Sequence, residues 1–398
     1  KRQADARVRV TILAAAETGR MAAPAALSVA KLTVTGFRCY DKARLDLDSR
    51  PVVLVGPNGA GKTNLLEAVS LLAPGRGLRR ARIAEIDRRG GTGGWGVAAT
   101  VRTPEGTAEI GTGREPGGER RVVRIDGETA RSQTDLARYV SAVWLTPDMD
   151  RLFREGAHAR RRFLDRLVYG FDPAHAGRVA AYEQALRERT RLLRDGSRDD
   201  AWLSALEEVM VERGTAITAA RQDMVGRLSQ ALAGSGGPFP GVRVAVTGTL
   251  EDWLGEMPAL RAEDRFRAAL REGRGDDADS GTAGVGPHRS DMAARHLAKD
   301  MPAELCSTGE QKAMLIAIVL AEARLQGAER GVAPLLLLDE VAAHLDRERR
   351  EALFDEVCGL AGQAWMSGTD AALFAALGGR AQRIAVVDAT VSPMSELA

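Results

Sequence analysis

The chain has 398 residues, 44% hydrophobic, 28% charged and 4% aromatic, with a formal net charge of +2. That length leaves room for two or three domains, since single cores stop growing near about 250–300 residues, and the composition is that of a soluble globular protein. It excludes a membrane span, because no apolar run approaches the roughly 18–20 residues required, and near-neutral charge announces no polyanion partner, while three scattered cysteines (Cys39, Cys306 and Cys358) suit a reducing cytosol better than a disulfide scaffold.

Taken in chain order, residues 1–26 read as a disordered or spurious extension ahead of the fold, without the cleavage pattern of a secretory signal. Alternation of Leu27, Val29, Leu32 and Val34 predicts a strand that breaks at Gly36, and a second short strand is expected over Ala43–Leu47. Pro51–Val55 reads as a buried strand, followed by a glycine-rich loop and a helix from Lys62 to about Leu72. Residues 90–130, rich in Gly, Thr and Val, predict a small antiparallel meander. From Phe153 to about Ala231 the chain is Arg/Glu-rich with helical period, and Gly234–Pro240 reads as a turn cluster. A strand at Val242–Val246 and a helical stretch to about Arg271 follow, and Gly273–Gly286 reads as a loop. The end returns to α/β alternation: helix Gly309–Leu325, strand Pro334–Leu338, helix Arg347–Leu360 and strands Ala364–Ser367 and Arg383–Val387.

Gly56-Pro57-Asn58-Gly59-Ala60-Gly61-Lys62-Thr63 fits the phosphate-loop pattern at every position, with a strand before it and a helix after. Glycines let the backbone amides turn inward toward phosphate oxygens, and the helix starting at Lys62 adds the positive end of its dipole. Lys62 would neutralise the β- and γ-phosphates of ATP, the Thr63 hydroxyl would ligate Mg2+, and Asn64 completes the ATP-binding set. Only six of the 56 basic residues are lysine, which makes the lysine at 62 more telling. At Leu335–Leu338 four apolar residues make a buried strand, and Asp339 and Glu340 emerge at its carboxyl end, where α/β sheets bind ligands. Asp339 is expected to hold the Mg2+ shell and Glu340 to orient or deprotonate the attacking water, so Glu340 and Lys62 are the catalytic candidates. Read structurally, the two acids would merely cap the next helix.

Cys306-Ser307-Thr308-Gly309-Glu310 opens a helix ahead of this acidic pair and resembles the ABC signature, and Ala343–Asp346 resembles the ABC D-loop. Alone, Ser307–Glu310 is also an ordinary helix cap. With four motifs in order, the expected fold class is α/β: an ABC-type ATPase head, with a mixed sheet bearing the phosphate loop and an antiparallel β subdomain. Residues 27–150 and 284–390 are the expected parts of the ATPase lobe, with a mainly helical lobe inserted over 151–283. In such ATPases Ser307, Thr308, Gly309 and Glu310 would meet ATP held by another subunit, and Asp346 would couple the two sites.

Leu32–Tyr40, Val53–Ala68, Gly75–Arg79, Arg160–Asp165, Gly286–Asp291 and Gly368–Asp370 together resemble the bacterial RecF family over about residues 28–390. The resemblance implies a cytoplasmic, nucleoid-associated ATPase of DNA repair, replication and the SOS response, binding no membrane. It implies ATP and Mg2+ as cofactors, an ATP-dependent homodimer on double-stranded DNA and at single/double-strand junctions, RecR and RecO as partners in loading RecA, and weak DNA-stimulated hydrolysis that promotes release. Cys306 departs from the usual Leu of the signature, no clear sensor Gln lies near Leu145–Asp148, and no switch His stands at Ser367–Thr369. Among the arginine clusters, Arg76, Arg79, Arg80, Arg160 and Arg161 are the DNA candidates, beside the reading that such runs are solvated helix faces. Alternatives are a transporter ATPase subunit, in which the signature stands much closer to the phosphate loop, a non-hydrolysing DNA clamp, or another short SMC-like repair ATPase.

Overall fold

The apolar tetrads at Val52–Val55 and Leu335–Leu338 are buried at every residue, as strands covered on both faces of a sheet must be. A computed structural model describes residues 27–196, 199–233, 238–360 and 362–394; the extension expected over 1–26 and part of the turn cluster at 234–240 lie outside the described residues.

The chain opens with the hairpin β1 (Ser28–Phe37) and β2 (Tyr40–Asp46). Strand β3 (Val52–Val55) leads through the glycine-rich loop into α1 (Lys62–Ser70). The meander is β4 (Trp95–Thr103), β5 (Gly106–Arg114), β6 (Val122–Ile125) and β7 (Glu128–Thr129), followed by β8 (Ala142–Leu145). Helices α2 (Ala157–Phe171), α3 (His175–Arg194) and α4 (Asp200–Ala233) come next. Strand β9 (Val242–Thr247) is separated by α5 (Thr249–Glu256), α6 (Ala259–Glu272) and α7 (Arg274–Ser280) from β10 (Asp291–His296) and β11 (Met301–Pro302). The end of the chain is α8 (Thr308–Arg330), β12 (Leu335–Leu338), α9 (Arg347–Gly359), β13 (Ala364–Gly368), β14 (Gln382–Val387) and β15 (Thr390–Pro393).

The described residues form three sheets. The meander joins the hairpin in an antiparallel sheet of order β2-β1-β4-β5-β6-β7; the second has the order β15-β14-β3-β13-β12-β8, and β11-β10-β9 form the third. In the second sheet every pairing is parallel except that of β14 with β15. Alternate residues of its strands serve two cores. Val52, Leu54, Leu335 and Leu337 face a core shared with α1 and the antiparallel sheet, whereas Val53, Val55, Leu336 and Leu338 face one shared with α2, α4 and α8. A third core lies among the helices, around Tyr182, Met210, Ile217, Trp253 and Phe266. Helix α4, 34 residues and so about 50 Å long, runs between the second and third cores: Met224 and Leu228 belong to one, Met210 and Ile217 to the other.

Two expectations are corrected. Gly273–Gly286 is not a loop throughout, because α7 occupies Arg274–Ser280. Its composition is poor for a helix, but the Asp277 carboxylate accepts from the Arg189 guanidinium at 2.7 Å and from the Gly284 amide at 2.9 Å, and Gly281 in the left-handed region (φ +73°) ends the turn. The second strand also starts earlier than expected, at Tyr40, because the turn closes tightly with Phe37 paired to Tyr40 and Arg38 at φ +54°. Strand β9 pairs with β10 through all six residues, so hydrogen bonds cross the expected lobe boundary at 283.

Candidate nucleotide site

Strands β3, β13 and β12 are neighbours, and their carboxyl ends carry the phosphate loop, Ser367 and the acidic pair. The loop can pass so close to the sheet only because of its glycines. A Cβ on Gly56 would lie 1.9 Å from the Val386 carbonyl oxygen, and one on Gly61 would lie 2.6 Å from Tyr40 Oη and 2.8 Å from Cys39 Sγ. Gly59 and Gly61 have φ of +81° and +113°, a region glycine enters without a steric penalty. Pro57, Asn58 and Gly59 are exposed at the tip, while Ala60, Gly61 and Lys62 are buried. The phenol of Tyr40 is buried without a hydrogen-bond partner among the described residues, and burial holds its pKa above the ordinary range.

Lys62 Nζ donates to the carbonyls of Gly56 and Pro57 at 2.8 and 2.9 Å, which holds the ammonium inside the loop. Burial lowers its pKa, and the charges of Glu340 and Asp339 oppose that shift. Thr63 Oγ1 lies 3.0 and 2.9 Å from the two carboxylate oxygens of Asp339, although the residues are 276 apart in sequence. A hydroxyl and a carboxylate are hard oxygen donors, the chemistry that Mg2+ takes together with phosphate oxygens and water. The residues present therefore fit the ion. Glu340 is half-buried at φ +50°, and its amide donates to Ser367 Oγ at 2.9 Å.

The signature segment forms a second, separate constellation. Ser307 is the N-cap of α8: its hydroxyl oxygen accepts from the Glu310 amide at 3.3 Å, and Glu310 Oε2 accepts from the Ser307 amide at 3.0 Å. The Lys299 ammonium, together with these Ser307 bonds, pulls the Glu310 carboxyl down to about 2. Ser307, Thr308 and Gly309 are exposed, and Cys306 beside them is buried in the core. Among the described residues no hydrogen bond joins this segment to the phosphate loop of the same chain. Asp346 caps α9, accepting from the Arg349 amide at 2.8 Å.

The five DNA-candidate arginines divide. Arg160 makes two 2.7 Å bonds to the Asp291 carboxylate, and Arg161 donates to the Ser290 carbonyl at 2.7 Å, so both hold the 286–291 segment against α2. Arg79 donates to Asn64 Oδ1 at 2.7 Å and to Glu67 at 3.2 Å, which ties its loop to α1. Arg76 and Arg80 are exposed and carry no ion pair among the described residues, as does Arg162 on α2. Partial burial, and then the charges of Arg162 and Arg76, lower the pKa of Arg80, and the carboxylates of Glu183 and Asp165 oppose that shift. Two features escaped the sequence reading. Ser367 was visible only as a polar residue ending an apolar strand, and the bond of Arg38 to Glu67 at 2.6 Å had no local signal at all.

Comparison with known proteins agrees with this geometry. The family model of the RecF/RecN/SMC N-terminal domain matches residues 28–365. The DNA replication and repair protein RecF of Mesorhizobium japonicum is 53% identical over 379 residues, covering 94% of this chain and all of that protein. That of Rhizobium meliloti is 50% identical over 373 residues, covering 93% of this chain and again all of the relative. Among solved structures, the recombination mediator protein RecF with ATP, of the RecFOR pathway, superposes with a TM-score of 0.81 at 20% identity over 95% of this chain and all of that one. An SMC head bound to the winged-helix domain of ScpA gives a TM-score of 0.53 at 18% identity, over 93% of this chain and 98% of that one, which shows a shared fold. The chain belongs to the bacterial RecF family, within the wider family of RecF, RecN and SMC N-terminal domains.

Proposed function

We propose that the chain is an ATP-hydrolysing, DNA-binding protein of recombinational repair and replication restart, whose two composite sites form only when two copies meet. The observation that carries this reading is the division of the motifs: Lys62, Thr63, Asp339 and Glu340 gather at one sheet edge, while Ser307–Gly309 lie exposed at a helix N-terminus with no bond to that edge among the described residues. Amides, a hydroxyl and a helix dipole facing outward suit a phosphate presented by another subunit. In the composite site Lys62 neutralises phosphate charge, Thr63 and Asp339 hold the metal, and Glu340 takes the proton of the attacking water. Bound there, Mg2+ supplies charge neutralisation at the phosphates. Arg76 and Arg80, with Arg162, face duplex phosphates beside single-strand gaps, and hydrolysis releases the pair of subunits. RecO and RecR are its partners in supporting RecA loading, as the membership in the RecF family implies.

Sedimentation with and without MgATP tests the reading. Wild type should dimerise on ATP, Glu340→Gln should stay dimeric long after wild type has turned over, and Ser307→Arg should remain monomeric while still binding ATP. A wild type that stays monomeric at saturating ATP, or a Ser307→Arg chain that dimerises normally, sinks the composite site. Affinity for gapped against plain duplex, each with and without ATP, tests the DNA half.

A further inference from the structure

Glu340 presents a mechanical problem. Its carboxylate makes no hydrogen bond and no ion pair among the described residues, although Lys62 feels its charge. Its backbone stands at φ +50°, which is uncommon for a residue other than glycine and costs on the order of 1 kcal/mol or more. A general base needs a fixed direction, and here only the main chain supplies one. Two bonds hold that main chain: the Asp339 amide donates to the Leu145 carbonyl at 2.9 Å, and the Glu340 amide is held by Ser367, fully buried at the end of β13. Its Oγ accepts the Glu340 amide at 2.9 Å and donates its own proton to Asp339 Oδ1 at 2.6 Å.

We propose that Ser367 is a positioning residue for the hydrolytic step, holding the Glu340 turn and the Asp339 carboxylate in one register through a single hydroxyl. The place of β13 makes this possible. It lies between β3 and β12 and pairs with both, Ser367 opposite Leu54 at the end of the phosphate-loop strand. The Gly56 amide at the start of the phosphate loop bonds the next residue, Gly368, at 3.3 Å. One hydroxyl thus joins the metal-side acid to the base-side backbone, next to the strand that carries the loop. Thr63 approaches the same carboxylate from α1, so Asp339 is held by a hydroxyl from each side. The inference rests on the ATPase reading above and adds to it a residue outside its four motifs.

Ser367→Ala in the full chain, with kcat and KM for ATP measured separately, tests it. Loss of a buried bond to a charged partner predicts a fall in kcat of about ten- to a hundredfold, with ATP affinity changed by no more than about twofold. Ser367→Thr keeps the hydroxyl and should restore most of the turnover; Ser367→Cys keeps the size, weakens both bonds and should fall between. In a Glu340→Gln background only the bond to Asp339 is left to lose, so Ser367→Ala should lower the residual rate by clearly less than in wild type, an outcome that a general loss of packing would not give. Full kcat in Ser367→Ala or Ser367→Cys, or equal losses in both backgrounds, overturns the inference. A wild type that binds no ATP overturns the ATPase reading and this inference with it, whereas active wild type beside unimpaired variants overturns the inference alone.

Discussion

Glu322 lies in the middle of α8, with 2% of its surface exposed, beside Arg166 of α2. Burial raises its pKa from 4.5 to about 8 against the pull of Arg166, so the carboxyl is mostly protonated near neutral pH. Its Oε1 accepts from Gln326 at 3.1 Å, and Oε2 has no partner among the described residues. Because the folded value lies above the unfolded one, the folded state binds this proton more tightly. The resulting stability is complete below about pH 4.5 and lost as pH rises through about 8. Glu322→Gln has no proton to lose. Its unfolding free energy should match wild type near pH 5 and exceed it at pH 8 by on the order of 1 kcal/mol or more, with a melting temperature raised accordingly. Parallel melting curves of the two proteins across that range would contradict the assignment.

At the scale of elements, α7 depends on a charge it does not carry. Arg189 of α3 is fully buried and bonds Glu207 of α4 at 2.9 Å, Asp277 of α7 at 2.7 Å and the Leu270 carbonyl at 2.6 Å. Glu207 also accepts from Arg274 at 2.7 Å, so two arginines and two acids bind three helices and the end of α6 together. Removing one member leaves buried charge without compensation. Arg189→Ala should lower unfolding stability by about 3 kcal/mol or more in denaturant titration, and should expose 273–286 to proteolysis first. This network also explains why the segment read as a loop: Gly and Asp dominate its sequence, and the partners that order it lie 67–88 residues away.

For the whole molecule, the arginines that run together in sequence separate into scaffold and surface. Arg80→Ala with Arg162→Ala should weaken duplex binding while leaving ATP binding intact, and should flatten the salt dependence by about two units of slope. Arg160→Ala should act otherwise, lowering the melting temperature because Asp291 loses its partner, with little effect on the salt slope. Equal slopes for wild type and the Arg80/Arg162 double variant would remove those residues from the DNA surface.

The sequence by itself determined the buried strands at Val52–Val55 and Leu335–Leu338, the phosphate loop, the acidic pair and the capped helix at Ser307, because each is a local pattern whose chemistry needs neighbouring residues. Four leucines before two acids, or glycines before Lys62-Thr63, carry their own structural context. Only the tertiary structure decided which side chains meet across the sheet. Thr63 reaches Asp339 over 276 positions, and Ser367 reaches both acids from a strand that could have paired elsewhere. It also decided which of the described arginines carry an ion pair, since a guanidinium's partner is set by packing between elements distant in the chain. Periodicity places a residue on a face, but strand order and helix contacts determine what that face touches.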